Sequence, residues 1–303
     1  MAVKAARIWL KGKLSDQISW NVLYRAEKSA LERYWLSNKV NDNLDVSIGL
    51  QKLKIYGWGR RLASGANSPI LGQLLVLNPS LPSDSMAIDI VYKLAGTLSL
   101  TFIKDYYDTK APCGLNRDDC KSWNKFDQQK QPAINFEWAG SFGSVQPLIQ
   151  YGVYDIGKSS ILTAGMRFKM DNLESHADYT VDTRLARGKD SAGLVEEQKE
   201  TVSGMVIYGE YKLGNVSPFL LVSTLGVEQF TAPGGTQTKI NTDGKIDDNG
   251  QTLGLGAFFE HWGSIYRPYT AVSRISGKYK NAATAAEEDR SRTDLMVGLV
   301  GKF

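Results

Sequence analysis

Hydrophobic and polar residues alternate along this chain with a period of two. In Leu44-Asp45-Val46-Ser47-Ile48-Gly49-Leu50-Gln51 every even position is apolar and every odd one is small or polar. Leu162-Thr163-Ala164-Gly165-Met166-Arg167-Phe168-Lys169-Met170 is the cleanest case. Met86–Lys93, Leu98–Phe102 and Ile134–Trp138 repeat the pattern. Successive strand residues point to opposite faces, so each segment predicts a strand with one apolar and one polar side.

The connectors alternate as well. Short turns are expected at 14–17, 40–43, 94–97, 140–143, 170–173, 213–216 and 261–264, where Gly, Asn and Asp supply the backbone angles that hairpins need. Longer polar stretches fall between most of them, near 57–85, 108–131, 187–199, 226–251 and 276–291. Three segments echo one another: Val145-Gln146-Pro147, Val216-Ser217-Pro218 and Tyr266-Arg267-Pro268. In each the proline falls just after a turn, where a missing ladder donor costs least.

Short connections on one side and long ones on the other describe an all-β, up-and-down antiparallel transmembrane β-barrel. The whole chain, 1–303, reads as one such domain. About fifteen strands can be counted, whereas single-chain bacterial barrels have an even number; sixteen is expected, with fourteen as the alternative. Residues 57–85 are unusual, because the connector carries the uncharged run Ile70-Leu71-Gly72-Gln73-Leu74-Leu75-Val76-Leu77. A loop folded inward as a constriction is favoured over an extra wall strand, which would reverse the side of every later turn.

Composition agrees with many short strands. The chain has 29 Gly, 14 Tyr, 10 Phe and 7 Trp, and a net charge of only +4, which does not suggest a nucleic-acid partner. No apolar run is long enough for a membrane helix. The start, Met1-Ala2-Val3-Lys4, is not a signal peptide, so export would imply a removed signal and an added Met1. Cys113 and Cys120 have no His or further Cys nearby, so a disulfide in an oxidising compartment is expected rather than a metal site.

The last strand, Leu295-Met296-Val297-Gly298-Leu299-Val300-Gly301-Lys302-Phe303, ends on an aromatic residue whose face it shares with Leu295, Val297 and Leu299. This resembles the C-terminal signature of outer-membrane proteins, which implies that Phe303 serves as a signal for the barrel-assembly machinery. The segments Ala6–Leu14, Leu31–Trp35 and Asn43–Lys52 resemble the early strands of phosphate-selective-type porins. The match to the second strand of that family would account for an odd strand count. That family's lysine and arginine ladder is not matched residue by residue, so its selectivity is not carried over.

The chemistry expected is that of a pore. The polar faces of the strands would line a lumen with Lys93, Arg167, Lys169, Arg184 and Arg267 against Asp89, Asp105, Glu137, Asp178 and Asp182. Charge in a pore sets ion preference, and Arg60 and Arg61 at a constriction would tip a near-balanced wall toward anions. No catalytic constellation is visible: His176 and His261 stand apart, and no nucleophile motif or phosphate loop occurs. The acidic stretch 241–250 does not fit the spacing of a twelve-residue calcium loop. The expectation is therefore a porin of the bacterial outer membrane, without metal or cofactor. It would contact membrane lipids and lipopolysaccharide and pass small hydrophilic solutes. A structural or adhesive barrel with a plugged lumen is the alternative; monomer and homotrimer both remain open.

Overall fold

The computed structural model describes residues 7–26, 30–52, 84–106, 131–154, 159–189, 195–229, 249–259, 266–280 and 287–301. These residues form fifteen strands: β1 (Arg7–Lys13), β2 (Ile18–Arg25), β3 (Ala30–Lys39), β4 (Leu44–Lys52), β5 (Asp84–Lys93), β6 (Gly96–Tyr106), β7 (Gln131–Gly140), β8 (Val145–Tyr154), β9 (Ser159–Lys169), β10 (Leu173–Lys189), β11 (Val195–Tyr211), β12 (Val216–Gln229), β13 (Asn249–Phe259), β14 (Tyr266–Lys280) and β15 (Glu287–Gly301). Each counted strand has its counterpart here. The sheet order is β1 through β15 without a crossover, and every neighbouring pair is antiparallel. This is the up-and-down meander of a transmembrane barrel.

The described turns show why the strands reverse where they do. Gly143 and Gly214 both have φ of +58° and sit first in two-residue loops, Phe142–Val145 and Leu213–Val216, which close with paired backbone hydrogen bonds. Glycine tolerates that angle at no steric cost, and the resulting twist suits a hairpin. Pro147, Pro218 and Pro268 are each the third residue of their strands, as the sequence echo predicts. At the first turn Ser15 Oγ accepts hydrogen bonds from the Gln17 and Ile18 amides.

The outward face is apolar. Ile48, Leu162, Met166, Leu295 and Val297, apolar positions of the sequence alternation, are exposed, and so are Leu253 and Leu255. The opposite, inner face carries the buried polar residues, Asp89, Glu137, Asp178 and Asp182 among them, together with buried apolar ones such as Leu148, Leu221 and Phe258. A fold that exposes aliphatic side chains and buries carboxylates has lipid outside, not water. β1 and β15, the ends of the order, run in the same direction, so direct pairing between them would be parallel; none is found among the described residues. The outward residues of β15 reflect that edge: Val297 is 79% exposed, against 42% for Val272 on β14.

One expectation is corrected. No Sγ–Sγ pairing is found among the described residues, and the disulfide expected between Cys113 and Cys120 is withdrawn. A disulfide demands a specific Cα separation and sulfur geometry, and spacing along the chain supplies neither. Both cysteines lie outside the described residues, as do Arg60, Arg61, the run 70–77, His261, most of 241–250 and Phe303.

Candidate functional site

The inner face is built by register. Ser47 lies opposite Asp89, Asp89 opposite Thr101, Thr101 opposite Asn135 and Asn135 opposite Gly152, so one polar row crosses β4 to β8. Thr101 Oγ1 donates to Asp89 Oδ1 at 2.9 Å, and Gln150 Nε2 donates to Asn135 Oδ1 at 2.9 Å. Thr163 and Thr180 share a 3.0 Å hydrogen bond across β9 and β10. These partners satisfy polar groups that would otherwise be costly to bury.

The sequence-predicted charges whose side chains are described fall on this face and separate by environment. Glu137 and Asp182 are each 1% exposed, and Asp178 is also buried. Arg167 Nη2 donates to Glu174 Oε1 at 2.6 Å and reaches toward Gln146. Arg267 Nη2 meets Glu210 Oε1 at 2.5 Å, and its guanidinium carbon stands 4.2 Å from the centre of the Phe258 ring. Lys93 lies at the turn end of β5, 3.0 Å from Asp45. Lys169 is the exposed last residue of β9. Arg184 stands opposite Glu200 in the β10–β11 ladder.

The partners Glu174 and Glu210 escaped the sequence reading. Each lies two positions from a residue already on the inner face, His176 and Tyr208 respectively. Carrying the alternation two residues further would have found both. An aromatic tier also went unseen. His176 stacks on Tyr208 at 5.2 Å between centroids, Tyr208 on Phe219 at 6.1 Å, and Phe219 packs on Phe258 at 4.9 Å. Its rings come from β10, β11, β12 and β13 and form a buried inner core with Leu221 and Ala271. Neither ring nitrogen of His176 has a hydrogen-bond partner, so no described acid orients it as a base. Among the described residues no group of three or more His, Cys, Asp and Glu side chains is placed to hold a metal.

No protein-family model and no curated protein matches the chain. Solved structures do. Outer-membrane-expressed OmpT of Vibrio cholerae aligns over 97% of this chain and 88% of its own, with a TM-score of 0.59 and 12% identity. The anion-selective porin from Comamonas acidovorans covers the same shares with a TM-score of 0.58 and 11% identity. The outer-membrane channel DcaP of Acinetobacter baumannii aligns over 98% and 84%, with a TM-score of 0.55 and 10% identity. The chain therefore has the outer-membrane porin-type β-barrel fold. At these identities the likeness is one of fold, and no phosphate-selective family is singled out.

Proposed function

We propose that this protein is a porin of the bacterial outer membrane. Its polar inner face would line a water-filled channel through which small hydrophilic solutes and ions diffuse down their gradients. The carrying observation is the inverted polarity of the sheet, with aliphatic residues outside and Asp89, Glu137, Asp178 and Asp182 inside. A passive pore asks for no nucleophile, cofactor or metal. The fold shared with an anion-selective porin and an outer-membrane channel supports the same reading.

In this account residues 1–303 make a single barrel domain, with membrane lipids and lipopolysaccharide against its apolar face. Lys93, Arg167, Lys169, Arg184, Arg267, Glu137, Asp178 and Asp182 belong to the channel wall. Residues 57–85 fold inward, and Arg60 and Arg61 tip a wall of paired charges toward weak anion preference. Phe303 acts as the assembly signal.

A second reading has an observation of its own. Gln150 and Thr163 are fully buried on the inner face, which favours a filled lumen and a structural barrel. Planar-bilayer recording separates the two. A pore gives stepwise ohmic openings in KCl, and a plugged barrel gives none. A salt gradient at low ionic strength, where screening is weakest, gives the permeability ratio. Arg60→Ala/Arg61→Ala is expected to reduce the anion preference. An unchanged ratio removes both arginines from the selectivity argument, and a cation-selective parent rejects it outright.

A further inference from the structure

β1 ends the strand order, and Trp9, Lys11 and Lys13 on its inner face are exposed. Trp9 faces the same side as Leu23, its direct partner on β2, and Leu23 is buried. Trp9 nevertheless keeps 51% of its surface exposed. Trp35 faces inward from β3 opposite Asn21, and its ring meets that of Trp9 edge-on, with centroids 6.2 Å apart and planes inclined at 68°. Two indoles thus form a corner with accessible π surface.

Two cations beside this corner, Lys11 and Lys13, differ from those elsewhere on the wall. Lys11 shares the inner face of β1, and its Nζ sits 4.4 Å over the Trp9 ring. Arg167, Arg267 and Lys93 are all engaged with carboxylates. Lys13 follows Lys11 on the same face and is exposed. Arg33, opposite Leu23, is 3.7 Å from Glu32. The corner therefore offers aromatic surface and ammonium groups together. An aromatic ring alone would not use Lys11, and a bare anion would not use the indoles.

We propose that the inner face of β1 to β3 is a binding site for small planar aromatic carboxylates. The ring packs in the corner of Trp9 and Trp35, while the carboxylate draws Lys11 off the indole and pairs with it and Lys13. A charge-assisted hydrogen bond then replaces a cation–π contact, and the freed indole face is covered by the ligand ring. The site rests on the pore reading only for its route of access.

Titration calorimetry of the folded protein in detergent, with benzoate as the probe, tests the site without requiring conduction. Saturable benzoate binding is expected, with acetate and benzyl alcohol each at least roughly tenfold weaker. Trp9→Leu and Lys11→Gln should each weaken benzoate roughly tenfold, while Trp9→Phe keeps most of the affinity. Far-UV circular dichroism checks that every variant retains its sheet. Benzoate bound no tighter than acetate, or bound unchanged by Trp9→Leu and Lys11→Gln, overturns the site. KCl conductance is recorded on the same preparation. Conduction without benzoate binding removes the site and leaves the pore, whereas binding without conduction does the reverse.

Discussion

Gly256 lies directly opposite Phe219 in the β12–β13 ladder, and a Cβ there would stand 2.4 Å from the Phe219 ring and 2.6 Å from the Thr270 carbonyl oxygen. Gly298 serves Tyr269 and Gly12 serves Trp20 in the same way, each glycine letting a neighbour's ring lie across its strand. Gly256→Ala should therefore cost about 1–3 kcal/mol by overpacking, read as a lower urea midpoint in vesicles. Gly209→Ala, where nothing lies within 4 Å, should cost far less. Equal losses would contradict the steric account. The glycines were visible in the sequence, but their partners were not, because pairing depends on register across two strands. At the β3–β4 turn, the hydrogen bond from Lys39 holds the Asp42 carboxyl below its ordinary value of 3.8. That contribution is complete above the ordinary aspartate value and fades as pH falls through the lowered one. Asp42→Asn should thus be slightly less stable than the parent at neutral pH, with the gap closing in strong acid. A gap independent of pH would place the difference elsewhere.

Strands were the most legible level, because alternation fixes both the element and its faces. Val145–Tyr154 and Ser159–Lys169 lie where the pattern put them. β10 and β11 are the longest, at 17 residues each, and β12, β14 and β15 also run past 11. About 9–11 tilted residues span a bilayer core, so this pair extends beyond it at the end away from the Leu173–Tyr211 turn. Their polar far ends, including Arg187-Gly188-Lys189 and Glu196-Glu197-Gln198-Lys199, read in sequence as connector because the alternation fades there. The paired charges were harder to see for a different reason. Arg267 and Glu210 are far apart in sequence and meet only once β11 to β14 are side by side. In the wall itself, Leu255 faces outward at the middle of β13, opposite Leu220 and Val272. Leu255→Arg should destabilise the folded protein in vesicles by roughly 2–4 kcal/mol. A negligible cost would mean that this face does not meet lipid.

At the scale of the whole molecule, the decisive property is which face of the sheet meets water. The alternation showed that two faces exist, and the barrel topology assigns the apolar one to the outside. Closure was less legible, since parity leaves β1 and β15 running the same way. Connector positions were read correctly in outline, but the chemistry placed on Arg60 and Arg61 depends on how 57–85 folds, which alternation does not encode. The most direct test of a hydrated inner face is a cysteine scan of β10 in a Cys113→Ser/Cys120→Ser background, reconstituted in vesicles. Positions 177 to 182 are replaced singly and exposed to a water-soluble, membrane-impermeant methanethiosulfonate reagent. The account predicts labelling with a period of two, at Asp178, Thr180 and Asp182 and not at Ala177, Tyr179 and Val181. Labelling of the odd positions, or protection of all six, would contradict a water-filled channel lined by the polar face.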